Sequence, residues 1–281
     1  QRLFDELRTN VALKVAEGDS PDSFRVSGRG ELHLSILIET LRREGYEFQV
    51  SRPDVILKQN DEGKALEPFE DVYIETSPDT VGVVVEMLGT RHGVMKNMVN
   101  TTAGSVRLEF LVPTRGLLGF RSNFLSATRG DGVIHTLFHG YLPQAGQIGE
   151  RSSGSLVSFE TGLTTTFGLK NAEERGTLFY GPGIPVYAGM VVGKHQRPGD
   201  LDINVCKKKE LTNMRAANAD NEARLTTPRH MSLEEAIEYL GKDELLEVTP
   251  LAYRIRKQLL SAHERGRRNK AARKAVVEAV S

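Results

Sequence analysis

A chain of 281 residues, 39% of them hydrophobic, is long enough to bury more than one core, and at roughly 100–150 residues per core it divides into two or three domains. Lys plus Arg and Asp plus Glu both number 37, so the whole chain has no bias toward polyanions or membranes, yet 144–281 hold 21 cations against 17 acids while 1–66 and 67–143 are each acidic by two. The single cysteine, Cys206, excludes an intrachain disulfide and a cysteine-based metal cluster and fits a reducing, cytoplasmic setting, and no apolar run approaches the ~20 residues of a membrane span.

QRLFDELRTN has one apolar face, from Leu3, Phe4 and Leu7, and reads as a helix. ALKVAEG and SFRVSGRG follow as two short strands around the turn residues Asp19 to Asp22. In ELHLSILIETLRREG, Leu34, Leu37, Ile38 and Leu41 fall at i, i+3, i+4 and i+7, with Gly45 as the stop, and YEFQVSRPDVIL reads as a strand. After a polar connector (59–66) the pattern returns in fuller form: strand DVYIETS, helix DTVGVVVEMLG, strands GVMKNMVN and SVRLEFLVP, helix LLGFRSNFLSATRG closed by Gly130, and strand VIHTLFHGYL. This is βαββαβ, the split βαβ arrangement of ferredoxin-like domains. The first unit matches it with its N-terminal strand missing. That gap, and a start without Met inside a helix, lead us to expect a piece of a longer protein.

From Gln144 the reading changes to short strands broken by glycines, GSLVSFETG, GTLFYGPG, IPVYAGMVVG and DLDINV, with a short helix near 166–175. MSLEEAIEYL opens with a capping box, Ser232 and Glu235. Thr249 and Pro250 suit the start of a last helix that turns basic, with nine cations and one acid between Tyr253 and Lys274. The expected architecture is α+β: two ferredoxin-like α/β sandwiches, over 1–58 and 66–143, then a β-rich domain with terminal helices over 144–281.

Catalytic motifs are absent or misspaced. GMVVGKH (189–195) has three residues between its glycines where a phosphate-binding P-loop has four, and His195 stands where a hydroxyl is required. Gly28 and Gly30 open a dinucleotide-like string, but His33 takes the third glycine's place. His135 and His139 lie about 13 Å apart along one face of a strand, too far to share an ion. GERSSG (149–154) misses the nucleophile-elbow spacing. The chain is expected to bind no cofactor or metal, to have no catalytic activity alone, and neither to bind nor to hydrolyse GTP.

What remains is basic. In CKKKELTNMRAANAD (206–220), the cations Lys207, Lys208, Lys209 and Arg215 suit phosphates, and Thr212 and Asn213 suit sugars or base edges. Half of fifteen extended residues reaches about 25 Å. A solvated surface excursion is the competing reading of this run, as a solvated helix end is for the cations after Tyr253.

VSGRGELHL (26–34) and FLVPTRGLLGFRSNFLSATRGDG (110–132) resemble turns and helices of the ferredoxin-like domains of elongation factor G and its relatives. ERGTLFYGPGIPVYAGMVVGKHQRPGDLDINV (174–205), KELTNMRAANAD (209–220) and MSLEEAIEYLGKDELLEVTP (231–250) resemble the C-terminal domain of the BipA (TypA) family of translational GTPases. That resemblance implies the C-terminal half of such a protein, with GTP and Mg bound in an N-terminal domain not in this chain. It further implies ribosome binding, a role in large-subunit assembly and in cold or other stress, and a loop, here 207–220, pushed toward the peptidyl transferase centre beside the acceptor arm of A-site tRNA. Lys207, Lys208, Lys209, Thr212, Asn213, Met214 and Arg215 are the expected RNA contacts, with Arg254, Arg256, Lys257, Arg267 and Arg268 as further candidates on the terminal helix. The protein is expected to be a cytoplasmic monomer without a membrane partner. The rival reading is a small-ligand-sensing regulatory module built on ferredoxin-like repeats.

Overall fold

The computed structural model describes residues 1–18, 20–102, 104–146, 148, 151, 153–208 and 225–280, with side chains to 271. The chain divides into two units, Gln1–Arg52 with Arg151–Ser281, and Pro53–Glu150. The architecture is α+β, several small sheets with few helices.

In the N-terminal segment α1 (Arg2–Glu6) precedes an antiparallel hairpin of β1 (Lys14–Glu17) and β2 (Phe24–Ser27), then α2 (Glu31–Arg43) and β3 (Phe48–Ser51). The SGRG string is the strand-to-helix turn, with Gly30 as N-cap. Helical spacing puts Leu37 and Leu41 against Leu13 in one core, while Ile38, one residue further round, enters a second core with Phe179, Val191, Leu246 and Ile255. A ferredoxin-like sheet runs in the order 4-1-3-2; without strand 1 it leaves the 2–3 hairpin and strand 4 apart. Among the described residues β3 is not paired with the hairpin.

The second unit contains β4 (Lys58–Gln59), β5 (Ala65–Thr76), α3 (Val81–Gly89), β6 (Val94–Asn100), β7 (Val106–Pro113), α4 (Thr114–Leu117), α5 (Phe120–Ala127) and β8 (Val133–Pro143). The order β8–β5–β7–β6, antiparallel throughout, is the complete 4-1-3-2 sheet. Alternation on β7 buries Val106, Leu108, Phe110 and Val112 against Val84 and Leu88 of α3 and Phe120 and Phe124 of α5. Gly130 ends α5 at φ 86°, a left-handed conformation that costs glycine little. His135 and His139 both lie on β8, exposed, and His139 is bonded to Asp71 at 2.9 Å.

The last segment holds β9 (Ser155–Ser158), β10 (Gly162–Leu163), α6 (Thr166–Glu173), β11 (Gly176–Leu178), β12 (Pro185–Val186), β13 (Val191–His195), β14 (Leu201–Ile203), α7 (Leu233–Tyr239), β15 (Glu244–Val248), β16 (Tyr253–Lys257) and α8 (Ala262–Val280). One sheet runs β11–β13–β9–β14, with β14 parallel to β9. A second runs β16–β15–β3 and brings the N-terminal segment into this unit. GMVVGKH is a turn leading into β13, not a loop opening a helix. The capping box of Ser232 and Glu235 forms as expected, with reciprocal bonds of 3.2 and 2.9 Å. The helix expected from Thr249 does not: Thr249 caps the β15–β16 turn through Ala252, and α8 starts at Ala262. Tyr253, Ile255 and Lys257 alternate with Arg254 and Arg256, a two-residue period that pairs β16 with the alternating ELLEV of β15 and overrides the helix-start residues before it.

Candidate nucleic-acid interface

The described chain runs to Lys208 and resumes at Leu225, and α6 binds it on both sides, at Lys207 and at Thr226. Thr165 is the N-cap: its hydroxyl accepts from the Gly168 N–H at 3.0 Å and donates to the Lys207 carbonyl, while its own N–H donates to Val205 O at 2.9 Å. Gly168 allows this approach, since a Cβ there would sit 2.4 Å from Val205 O. At the other end, Glu173 accepts from both the N–H and the hydroxyl of Thr226 at 2.6 Å, and pairs with Lys170 at 2.8 Å. The Lys170 ammonium and the Thr226 donors hold the Glu173 pKa down at about 2. An eight-residue helix rises about 12 Å, and this one brackets the segment at its two ends. Thr165, Glu173 and Thr226 were not singled out in the sequence; Thr165 ahead of a short helix was the one available signal.

Lys207 and Lys208 are exposed, with no ion-pair partner among the described residues. Lys209, Thr212, Asn213, Met214 and Arg215 lie outside the described residues. On β16, Arg254 is half-buried without an ion pair among the described residues, and Arg256 contacts Glu247 at 3.3 Å and donates to Gln49 at 2.8 Å.

Lys257 corrects the expectation of a surface cation. Its side chain is 1% exposed, and its ammonium meets Asp200 at 2.5 Å, Glu244 at 2.9 Å and Asp243 at 3.2 Å. Burial works against its charge, but the carboxylates, Glu244 foremost, outweigh burial and raise its pKa. Glu244 answers in kind: desolvation opposes its charge, Lys257 and Arg151 favour it, and its pKa falls. The Ser155 hydroxyl donates to Glu244 at 2.6 Å, and Arg151 lies 3.9 Å over the Tyr239 ring. This network ties β9, α7, β15 and β16 together, so Lys257 is spent inside the fold.

On α8, Arg267 is exposed and Arg268 lies 3.7 Å from Asp243. The helix is anchored by Arg265, 7% exposed, which donates to the carbonyls of Leu259 and Leu260 and to Asp202 of β14. Expected contacts are thus divided. The loop root is built on α6, α8 presents Arg267 and Arg268, and β16 commits its cations largely to the fold.

A cavity of about 190 Å³ lies among Phe179, Tyr180, Met231, Leu246, Tyr253 and Ile255. Its walls combine the buried Phe179, Ala236, Leu246 and Ile255 with Tyr180, Tyr253, His230 and Arg229, the last paired with Glu235. Among the described residues no three His, Cys, Asp or Glu side chains are grouped to hold a metal ion, and no helix is long and apolar enough to cross a membrane.

Comparison with known proteins covers most of the chain. A family model described as TypA/BipA C-terminal domain matches residues 153–262, and one described as elongation factor G C-terminus matches 64–152. A protein of Bacillus subtilis named large ribosomal subunit assembly factor BipA is 50% identical over 275 residues, 98% of this chain and 44% of that protein. Its namesake in Synechocystis sp. is 50% identical over 256 residues, 91% of this chain and 43% of that protein. That of Haemophilus influenzae is 48% identical over 271 residues, 96% and 44%. The chain spans less than half the length of these curated relatives. With half its residues shared along nearly its whole length, and with the C-terminal domain model lying on the segment that brackets the basic run, the chain belongs to the BipA (TypA) family and corresponds to the C-terminal part of its members.

Proposed function

We propose that this chain is the ribosome-binding part of a BipA-type GTPase, acting in assembly of the large ribosomal subunit by contacting its RNA. The observation that carries the reading is the root held by α6, where Lys207 and Lys208 stand exposed with no ion pair among the described residues. Phosphates supply the missing counter-charge. In this reading Lys207, Lys208, Lys209, Thr212, Asn213, Met214 and Arg215 reach ribosomal RNA near the peptidyl transferase centre and the acceptor arm of A-site tRNA. Arg267 and Arg268 add contacts from α8. The two α+β units serve as docking modules, GTP and Mg act in a domain outside this chain, and the protein works as a cytoplasmic monomer under cold or other stress.

Co-sedimentation of the chain with purified large ribosomal subunits, without nucleotide, tests this. Saturable binding that weakens with salt is expected. Failure to co-sediment at low salt would remove the reading.

A further inference from the structure

The end of α6 that holds the basic run also carries exposed aromatic surface. Leu169 and Ala172 are buried beneath the helix, while Phe167, in its first turn, is 37% exposed. Phe167 lies two residues after Thr165, whose hydroxyl holds the Lys207 carbonyl, so the ring and Lys207 start within one helical turn of each other. Lys170 on the same helix is committed to Glu173, whereas Lys207 and Lys208 have no ion pair among the described residues. The exposed Glu160 lies near Cys206, whose pKa is raised by desolvation first and by Glu160 second.

An exposed ring on the helix turn that holds Lys207, with lysines unpaired among the described residues, suits a single-stranded nucleotide, whose base offers a π-face to the ring and whose phosphates meet the ammonium groups. A duplex keeps its base faces stacked inside and has none to offer. We infer that Phe167, with Lys207 and Lys208, forms a subsite for an unpaired ribonucleotide, the ring stacking on the base and the lysines neutralising its phosphates. The inference rests on the RNA-binding reading above and assigns it a stacking residue outside the basic run. The Thr165 hydroxyl fixes the Lys207 backbone on the turn of α6 that carries Phe167, so the ring and the start of the basic run are joined before RNA arrives.

The test compares Phe167→Leu with Phe167→Tyr in the 281-residue chain, measuring affinity for purified large ribosomal subunits and for a short single-stranded oligoadenylate, alongside thermal midpoints. Leucine keeps an apolar side chain without the π-face; tyrosine keeps the π-face. Phe167→Leu should weaken binding to both probes roughly tenfold with its midpoint little changed, and Phe167→Tyr should bind within about twofold of the parent chain. Unchanged binding by Phe167→Leu would overturn the inference. So would equal losses in both variants, which would mark a packing role, or a loss confined to ribosomes with oligoadenylate binding unaffected, which would mark a protein contact. Failure of the parent chain to bind large subunits would instead overturn the RNA-binding reading itself.

Discussion

Lys257 sits in a run of cations that reads as surface, and it is buried where Glu244 of β15, Asp243 of the turn before it and Asp200 just ahead of β14 converge on it. No local pattern could disclose this, since its partners lie up to 57 positions away. Removing Lys257 leaves the buried Glu244 with Arg151 alone, and removing Glu244 leaves the buried Lys257 with two half-exposed carboxylates. Lys257→Met and Glu244→Gln should therefore each cost about 3–5 kcal/mol, and the double variant less than the sum. Urea denaturation checks this; single variants within about 1 kcal/mol of the parent chain would show that the network holds nothing together. Glu173 makes a different prediction, about pH. Its carboxyl is held at about 2 against an ordinary 4.5, so its anchoring of Thr226 is complete above about 4.5 and is lost as pH falls toward 2. The hydrogen-exchange protection of the Thr226 amide should decline across that window, and in Glu173→Gln it should be low and flat.

Among the elements, those built on one clear period were legible. Leu37, Ile38 and Leu41 of α2 are buried as their spacing implies, as are Val106, Leu108, Phe110 and Val112 of β7. Leu37→Ala should cost roughly 2–5 kcal/mol, read from the denaturation midpoint, because it opens a cavity beside Leu13 and Leu41. An unchanged midpoint would remove α2 from the core. The β15–β16 hairpin was missed for a physical reason. Thr249 and Pro250 are good helix-start residues, but the choice between helix and strand was made by cross-strand partners, including β3 some 200 positions earlier. The α6 bracket was missed because its bonds join a cap, a carboxylate and two chain ends that only the fold brings together.

For the molecule as a whole, the α+β class and the complete ferredoxin-like sheet of Pro53–Glu150 were readable from the order and period of the elements. The family was readable from long motifs, and relatives about half identical along the chain bear it out. The joining of β3 to β15 was not readable, because strand pairing across some 200 residues leaves no local trace. The site was legible only in part: the sequence pointed to Lys207 and Lys208 but not to the helix that holds them, and it counted Lys257 among surface cations.

The central claim is that the basic run bracketed by α6 meets RNA phosphates. The most direct measurement is the salt dependence of binding to large ribosomal subunits, for the parent chain and for a variant with Lys207, Lys208, Lys209 and Arg215 all changed to Ala. Released counterions make log K fall with log salt by about 0.7 per neutralised phosphate on a single strand. The account predicts weaker binding and a slope reduced by up to roughly 0.7 for each phosphate that the variant no longer neutralises, with thermal unfolding unchanged. Equal affinity and equal slope in the two chains would contradict it.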